Sequence, residues 1–147
     1  MLNKNYIIFL IILLVYTLFI TNVLGGEKNK KLDENEVSKI FLKFENGMNT
    51  GAVKEFSPFF DSETYISLES GISSYFSQSQ SYYVLKNFLS SYKPIRFKFM
   101  RINDSADLPF AVGQFTYSLR GIRGSSQVFV SLKKNGATWK ISQISIN

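Results

Sequence analysis

Residues 126–146 read SQVFVSLKKNGATWKISQISI, and this stretch decides the fold. Val128, Val130 and Leu132 recur at every second position, the period of a strand with one buried face. Asn135-Gly136 is the strongest short hairpin signal in the chain. The partner run, Thr138 to Ile146, carries Trp139 and Ile141, then Ile144 and Ile146. Its apolar phase slips between Ser142 and Gln143, which predicts a β-bulge or a strand buried on both faces. Working back along the chain, Arg120-Gly121-Ile122-Arg123-Gly124 is a Gly-bearing turn and Pro109 to Leu119 a long strand. Ile95, Phe97 and Phe99 alternate with Arg96, Lys98 and Met100 in one strand more.

Before Pro94 the period is 3.6 rather than 2. Leu85, Phe88, Leu89 and Tyr92 line one helix face, and Ser77 with Gln80 forms a capping box at its start. Thr64 to Leu68 reads as a strand closed by the turn Glu69-Ser70-Gly71. A short helix from about Thr50 presents Val53 and Phe56 before Pro58 stops it. Val37, Ile40, Phe41, Phe44 and Met48 form the apolar face of a longer helix, opened by Asp33 with Glu36 and closed by Asn46-Gly47. Helices first and antiparallel strands after them give an α+β domain, helices packed on one face of a curved sheet of four to five strands. That domain spans residues 36–147, with no internal repeat.

The chain has 147 residues, 45% of them hydrophobic, with 14 Phe and 8 Tyr, enough bulk to fill one core. Cys and His are both absent. Disulfides, thiolate or imidazole metal ligation, Cys or His nucleophiles and every imidazole-based triad are therefore excluded. No metal and no cofactor is expected.

Residues 1–26 stand apart. Lys4 is their only charge, Tyr6 to Ile20 is a 15-residue apolar run, and Val23-Leu24-Gly25-Gly26 offers small residues where a signal peptidase reads. This is the pattern of a Sec signal peptide. Cleavage leaves about 121 residues, beginning with a polar spacer over 27–35, in a periplasmic or secreted protein. The alternative is an uncleaved N-terminal membrane anchor, since the run approaches the ~20 residues that span a bilayer. Without a cysteine, a lipoprotein anchor is excluded.

The order of elements resembles the nuclear-transport-factor-2-like cone, which is cystatin-like in architecture. Residue by residue the chain is similar to an exported Bacteroidota family, domain of unknown function 4783. The segments that carry the resemblance are Gly51 to Phe60, Tyr75 to Gln80 running into Leu85 to Leu89, and Phe97-Lys98-Phe99. Ala111 to Thr116, Val128 to Lys134 and Trp139 to Ile146 continue it, so that it covers about residues 36–147. Gln127 departs from it, standing where the resemblance implies a basic residue. What it implies is a fold and an exported location; the family carries no assigned activity.

Charge is unevenly spread. Residues 27–85 hold six lysines against nine acidic residues, net −3, and residues 86–147 hold ten basic residues against two aspartates, net +8. Arg96, Lys98, Arg101, Arg120 and Arg123 make a candidate basic patch for an anionic partner such as a lipid headgroup or acidic glycan; the plainer reading is a solvated sheet face and turn tips. Nucleic acid fits the same charge but not an exported protein. Phe60, Phe88, Phe97 and Phe115 are candidates to line a pocket for an apolar ligand, or else simply close the core. Asp61 and Glu63 are weak candidates for a general base whose pKa apolar walls would raise, with Tyr65, Tyr75, Tyr82 or Tyr117 as oxyanion donor. As plain structure they are a turn residue and a solvent-facing strand residue.

The sequence thus predicts an exported, non-enzymatic binding or scaffold domain of the cell envelope holding a small apolar or anionic ligand. Two alternatives stand beside it. One is a His-free isomerase or dehydratase built on Asp61 or Glu63. The other is a structural module that forms a homodimer through its sheet face, with Phe115 or Phe129 at the contact.

Overall fold

The structure is a computed structural model and describes residues 35–104 and 108–147. The leader, the spacer up to residue 34 and the capping residue Asp33 lie outside the described residues. Helix α1 occupies residues 35–50. Its apolar face, Val37, Ile40, Phe41, Phe44 and Met48, is buried throughout, which is why the segment is helical: each turn adds one more side chain to the same stripe.

Asn46-Gly47 does not end this helix. It runs to residue 50, and Gly51 at φ +70° turns the chain out. Gly47 serves a different purpose, because a Cβ there would lie 2.4 Å from the ring of Phe56. The short helix expected next is two single 3-10 turns, Val53–Glu55 and Ser57–Phe59. Pro58 inside the second cannot donate to a longer helical ladder.

Strand β1 (Phe60–Leu68) begins four residues before the expected Thr64 and pairs antiparallel with β2 (Ser73–Ser77). Helix α2 (Gln78–Ser91) follows, its capping box formed by the Ser77 and Gln80 side chains as the sequence predicts. Then come β3 (Tyr92–Asn103), β4 (Phe110–Leu119), β5 (Ile122–Asn135) and β6 (Thr138–Ile146). All join one six-stranded sheet of order β2-β1-β6-β5-β4-β3, antiparallel except for the β1–β6 pair. The strand beyond the expected four to five is β2. Its Ser-Ser-Tyr-Phe-Ser run is exposed almost throughout and shows no apolar alternation.

The bulge expected near Ser142 is present. Ser131 pairs with Gln143 and Leu132 with Ile141, leaving Ser142 between them. On β3 the alternation breaks where it was expected to hold. Register shifts on either side of Ile95 and of Met100 leave Ile95 49% exposed, while Phe97 and Phe99 stay buried.

α1 and α2 cover the inner sheet face, on which Ile66, Phe97, Phe115, Val128, Val130, Ile141 and Ile144 are buried. α1 also seals the free edge of β3. The Asn49 amide donates to the Phe97 carbonyl (2.8 Å) and its oxygen accepts the Phe97 N–H (2.8 Å), while the Glu45 carboxylate accepts the Phe99 N–H (2.9 Å). A helix thus supplies the hydrogen bonds that a seventh strand would make. Among the described residues no helix is long and apolar enough to cross a membrane.

Candidate functional site

A spacious site is built from aromatic residues at the end of the sheet where β4 turns into β5. Phe88 of α2 stacks on Tyr92 at 4.2 Å, Tyr92 meets Tyr117 edge-on at 4.9 Å, and Tyr117 lies 5.4 Å from Phe115. The series leads from the core to the surface, where a cleft of about 600 Å³ opens. Tyr92, Tyr117, Leu119 and Ile122 form its apolar walls, and Arg120 and Arg123 contribute its charge. A volume in this range suits a small organic ligand.

The chain takes this shape for local reasons. Gly124 pairs with Tyr117, and a Cβ at Gly124 would lie 2.6 Å from the tyrosine ring, so only glycine lets the ring lie flat across β5. Leu119 and Ile122 pair across a two-residue loop in which Arg120 (φ +51°) and Gly121 (φ +84°) are both left-handed. Such loops match the twist of the flanking strands and favour Asn-Gly. Arginine in this conformation is unusual for a side chain with a Cβ.

Behind the cleft, Ser126 Oγ donates to the Glu69 carboxylate, and the Tyr117 hydroxyl bonds to Glu69 as well. The hydrogen bond to Glu69, and then burial, push the Tyr117 phenol above its ordinary value, because ionising it would set two negative oxygens together. Tyr117 therefore stays neutral. Glu69 was read from sequence only as part of a turn, and nothing in its local pattern signals that it reaches residues 48 and 57 positions away.

The structure divides the candidate residues among four places. Arg120 and Arg123 share the cleft. Arg96, Lys98 and Arg101 sit on β3 in register with Thr116, Gln114 and Val112, on the outer sheet face, with Arg101 5.7 Å over the Phe110 ring. Phe60, Phe88, Phe97 and Phe115 are buried in the core and none lines the cleft. Phe115 likewise lies on the inner face, so it cannot belong to an outer-face dimer contact, whereas Phe129 is stacked with Phe110 on the outer face (5.9 Å). Asp61 and Glu63 also lie away from the cleft, beside the β6 bulge.

Asp61 is only 1% exposed. Burial pushes its carboxyl up, but Lys133, the Asn135 amide (2.9 Å) and the Ser62 backbone outweigh burial and hold it below the usual carboxylate value. That is opposite to the raised pKa expected of a general base, and the reason is the ion pair with Lys133. Asn135 was expected in the hairpin turn. It is instead the last residue of β5, and the two-residue loop is Gly136-Ala137. Among the described residues the ion pairs are Lys43–Glu55 and Lys133–Asp61, so none of the five patch residues has a carboxylate partner there. No described cluster of three acidic residues stands ready for a metal ion.

Residues 41–147 match the family model described as Domain of unknown function (DUF4783). Among solved structures, a DUF4783 family protein from Bacteroides uniformis is 15% identical, covering 71% of this chain and 93% of its own, with a TM-score of 0.65. Another from Bacteroides ovatus is 18% identical over 71% and 90%, with a TM-score of 0.63. A Catenulispora acidiphila protein with a ketosteroid isomerase-like fold, in complex with trimethylamine, is 8% identical over 74% and 84%, TM-score 0.59. Together with further neighbours described as NTF2 and cystatin-fold proteins, these identify the fold as the nuclear-transport-factor-2-like, cystatin-like one. No curated protein matches the chain.

Proposed function

Because the chain belongs to the DUF4783 family, whose description assigns no activity, we propose a function from its own cleft: a small binding domain for an anionic molecule with a flat apolar body. The observation that carries this reading is the pairing of Arg120 and Arg123 with the walls of Tyr92, Tyr117, Leu119 and Ile122 in one 600 Å³ space. Guanidinium groups bind carboxylate, sulfonate or phosphate through paired N–H donors. Tyrosine rings cover an apolar body while losing little rotamer freedom.

The binding is non-catalytic in this reading. Asp61 is held ionised by Lys133, and Glu63 is exposed on the outer face. We read residues 1–26 as a cleaved signal peptide, placing the domain in the envelope or outside the cell. Intact-mass measurement on protein from the host's envelope tests this, and retention of the full 147-residue mass would instead support the anchor.

The cleft is tested with 8-anilino-1-naphthalenesulfonate, an anionic aromatic dye, and its neutral analogue N-phenyl-1-naphthylamine. Saturable sulfonate binding that falls at least tenfold in the double variant Arg120→Ser/Arg123→Ser, with the neutral dye little changed, supports the reading. Equal loss of both dyes, or of neither, refutes it.

A homodimer through the outer sheet face is a second reading, favoured by the Phe110–Phe129 stack there. It predicts twice the monomer mass in light scattering and a return to monomer in Phe129→Lys.

A further inference from the structure

The outer sheet face holds a second concavity whose chemistry differs from that of the cleft. Strands β1 and β6 pair at Phe60–Ile141 and next at Tyr65–Gln143, so four β1 residues stand opposite Ser142 alone. Within this gap the Thr64 hydroxyl donates to the Ile141 carbonyl (3.1 Å). The parted strands leave a groove of about 380 Å³ lined by Glu63, Tyr65, Tyr75, Lys133, Ser142 and Gln143.

Its aromatic floor spans two strands. Tyr65 and Tyr75 are a cross-strand pair with ring centres 5.2 Å apart, and the Tyr65 hydroxyl is bonded to Ser73 Oγ at 2.8 Å. Yet Tyr75 is 67% exposed, a large ring left open to water. The polar groups are arranged unevenly. Lys133 is drawn onto buried Asp61, so its charge is already neutralised. Glu63 is exposed and has no ion-pair partner among the described residues. Gln143 sits in register with Tyr65 and offers both an amide donor and an acceptor.

We infer that this groove binds a neutral saccharide. The C–H face of a pyranose stacks on the tyrosine pair, and adjacent hydroxyls donate to the Glu63 carboxylate and exchange hydrogen bonds with Gln143. The net charge of the groove selects against anions, since its one uncompensated group is a carboxylate. A purely apolar ligand would leave Glu63 desolvated without a partner, which costs more than the contact returns. The groove is shallow and open, so one or two sugar rings bind at about millimolar strength, as expected for few contacts per ligand.

Saturation-transfer NMR on the full chain with cellobiose, maltose and diacetylchitobiose tests the inference. The expected result is transfer to sugar ring protons from at least one of the three, lost or weakened at least tenfold in Tyr75→Ala and reduced in Glu63→Gln. Arg123→Ser, in the cleft, should leave that signal unchanged. Absence of transfer from all three sugars overturns the inference, as does a signal indifferent to Tyr75→Ala or one abolished by Arg123→Ser. Light scattering that shows a dimer dissociated by Tyr75→Ala also overturns it, because the rings would then be covered by a second copy. None of these outcomes bears on the dye experiment, so the two sites stand or fall separately.

Discussion

Arg120→Asn should make the domain more stable and the cleft a poorer anion site at the same time. Arg120 is left-handed at φ +51°, and Gly121 follows at +84° in the two-residue loop between Leu119 and Ile122. For a residue with a Cβ this conformation costs roughly 1–2 kcal/mol. Asparagine tolerates it far better and is the preferred residue at this loop position. The substitution should therefore recover about 1 kcal/mol. For a domain of this size that raises Tm by about 4 °C, readable by thermal unfolding followed by circular dichroism at neutral pH. The same change removes one of two cleft guanidiniums, and a hydrogen bond to a charged group contributes about 1.5–3 kcal/mol. The naphthalenesulfonate Kd should rise about tenfold or more, since each 1.4 kcal/mol is a factor of ten. A lower Tm would refute the conformational argument. A higher Tm with unchanged dye affinity would refute the role given to Arg120.

Asn49→Ala removes both hydrogen bonds to Phe97 and should cost about 1–3 kcal/mol in urea denaturation, with more aggregation because the β3 edge is uncovered. Lys133→Met leaves Asp61 buried without its cation; with Lys133 side chain 55% exposed, the loss should be moderated by solvent to about 1–2 kcal/mol. The folded-state pKa of Asp61 is depressed, so its contribution is present above the unfolded value of about 3.9. It is lost as pH falls through the lower folded value. Urea midpoints of the wild type should therefore drop below about pH 4, and Lys133→Met should show less of this drop; equal slopes would contradict the pairing. Gly124→Ala drives a methyl into the Tyr117 ring and should cost about 1–3 kcal/mol together with most of the dye binding. Unchanged dye affinity would mean that the ring does not shape the cleft.

Local patterns carried most of the fold. The Ser77–Gln80 capping box, the slip at Ser142 and the α1 stripe each depend on neighbours within a few residues, and the structure has each of them. Patterns that depend on distant partners were not legible. Gly47 resembles a helix cap until Phe56 is placed over it. Ile95 resembles a core residue until two bulges bend β3 around α1. β2 has no apolar rhythm because it is an edge whose pairing comes from β1. At the cleft, Arg120 and Arg123 could be read from composition, but Tyr92 joins them only through the pairing of β3 with β4, where it stands opposite Leu119. Glu69 joins Tyr117 and Ser126 only because the turn after β1 is tied to the end of β6, its N–H donating to the Ile146 carbonyl.

Strand β6, which follows the other described strands in sequence, stands in the middle of the sheet. β6 (Thr138–Ile146) alone links β1–β2 to β5–β4–β3 by strand pairing. Without β6, the β1–β2 hairpin and the three-stranded meander share no backbone ladder, and the inner face on both sides of the gap stays uncovered. Loss of residues 143–146, which pair β6 with β1 from Tyr65 to Leu68, would divide the sheet rather than shorten it.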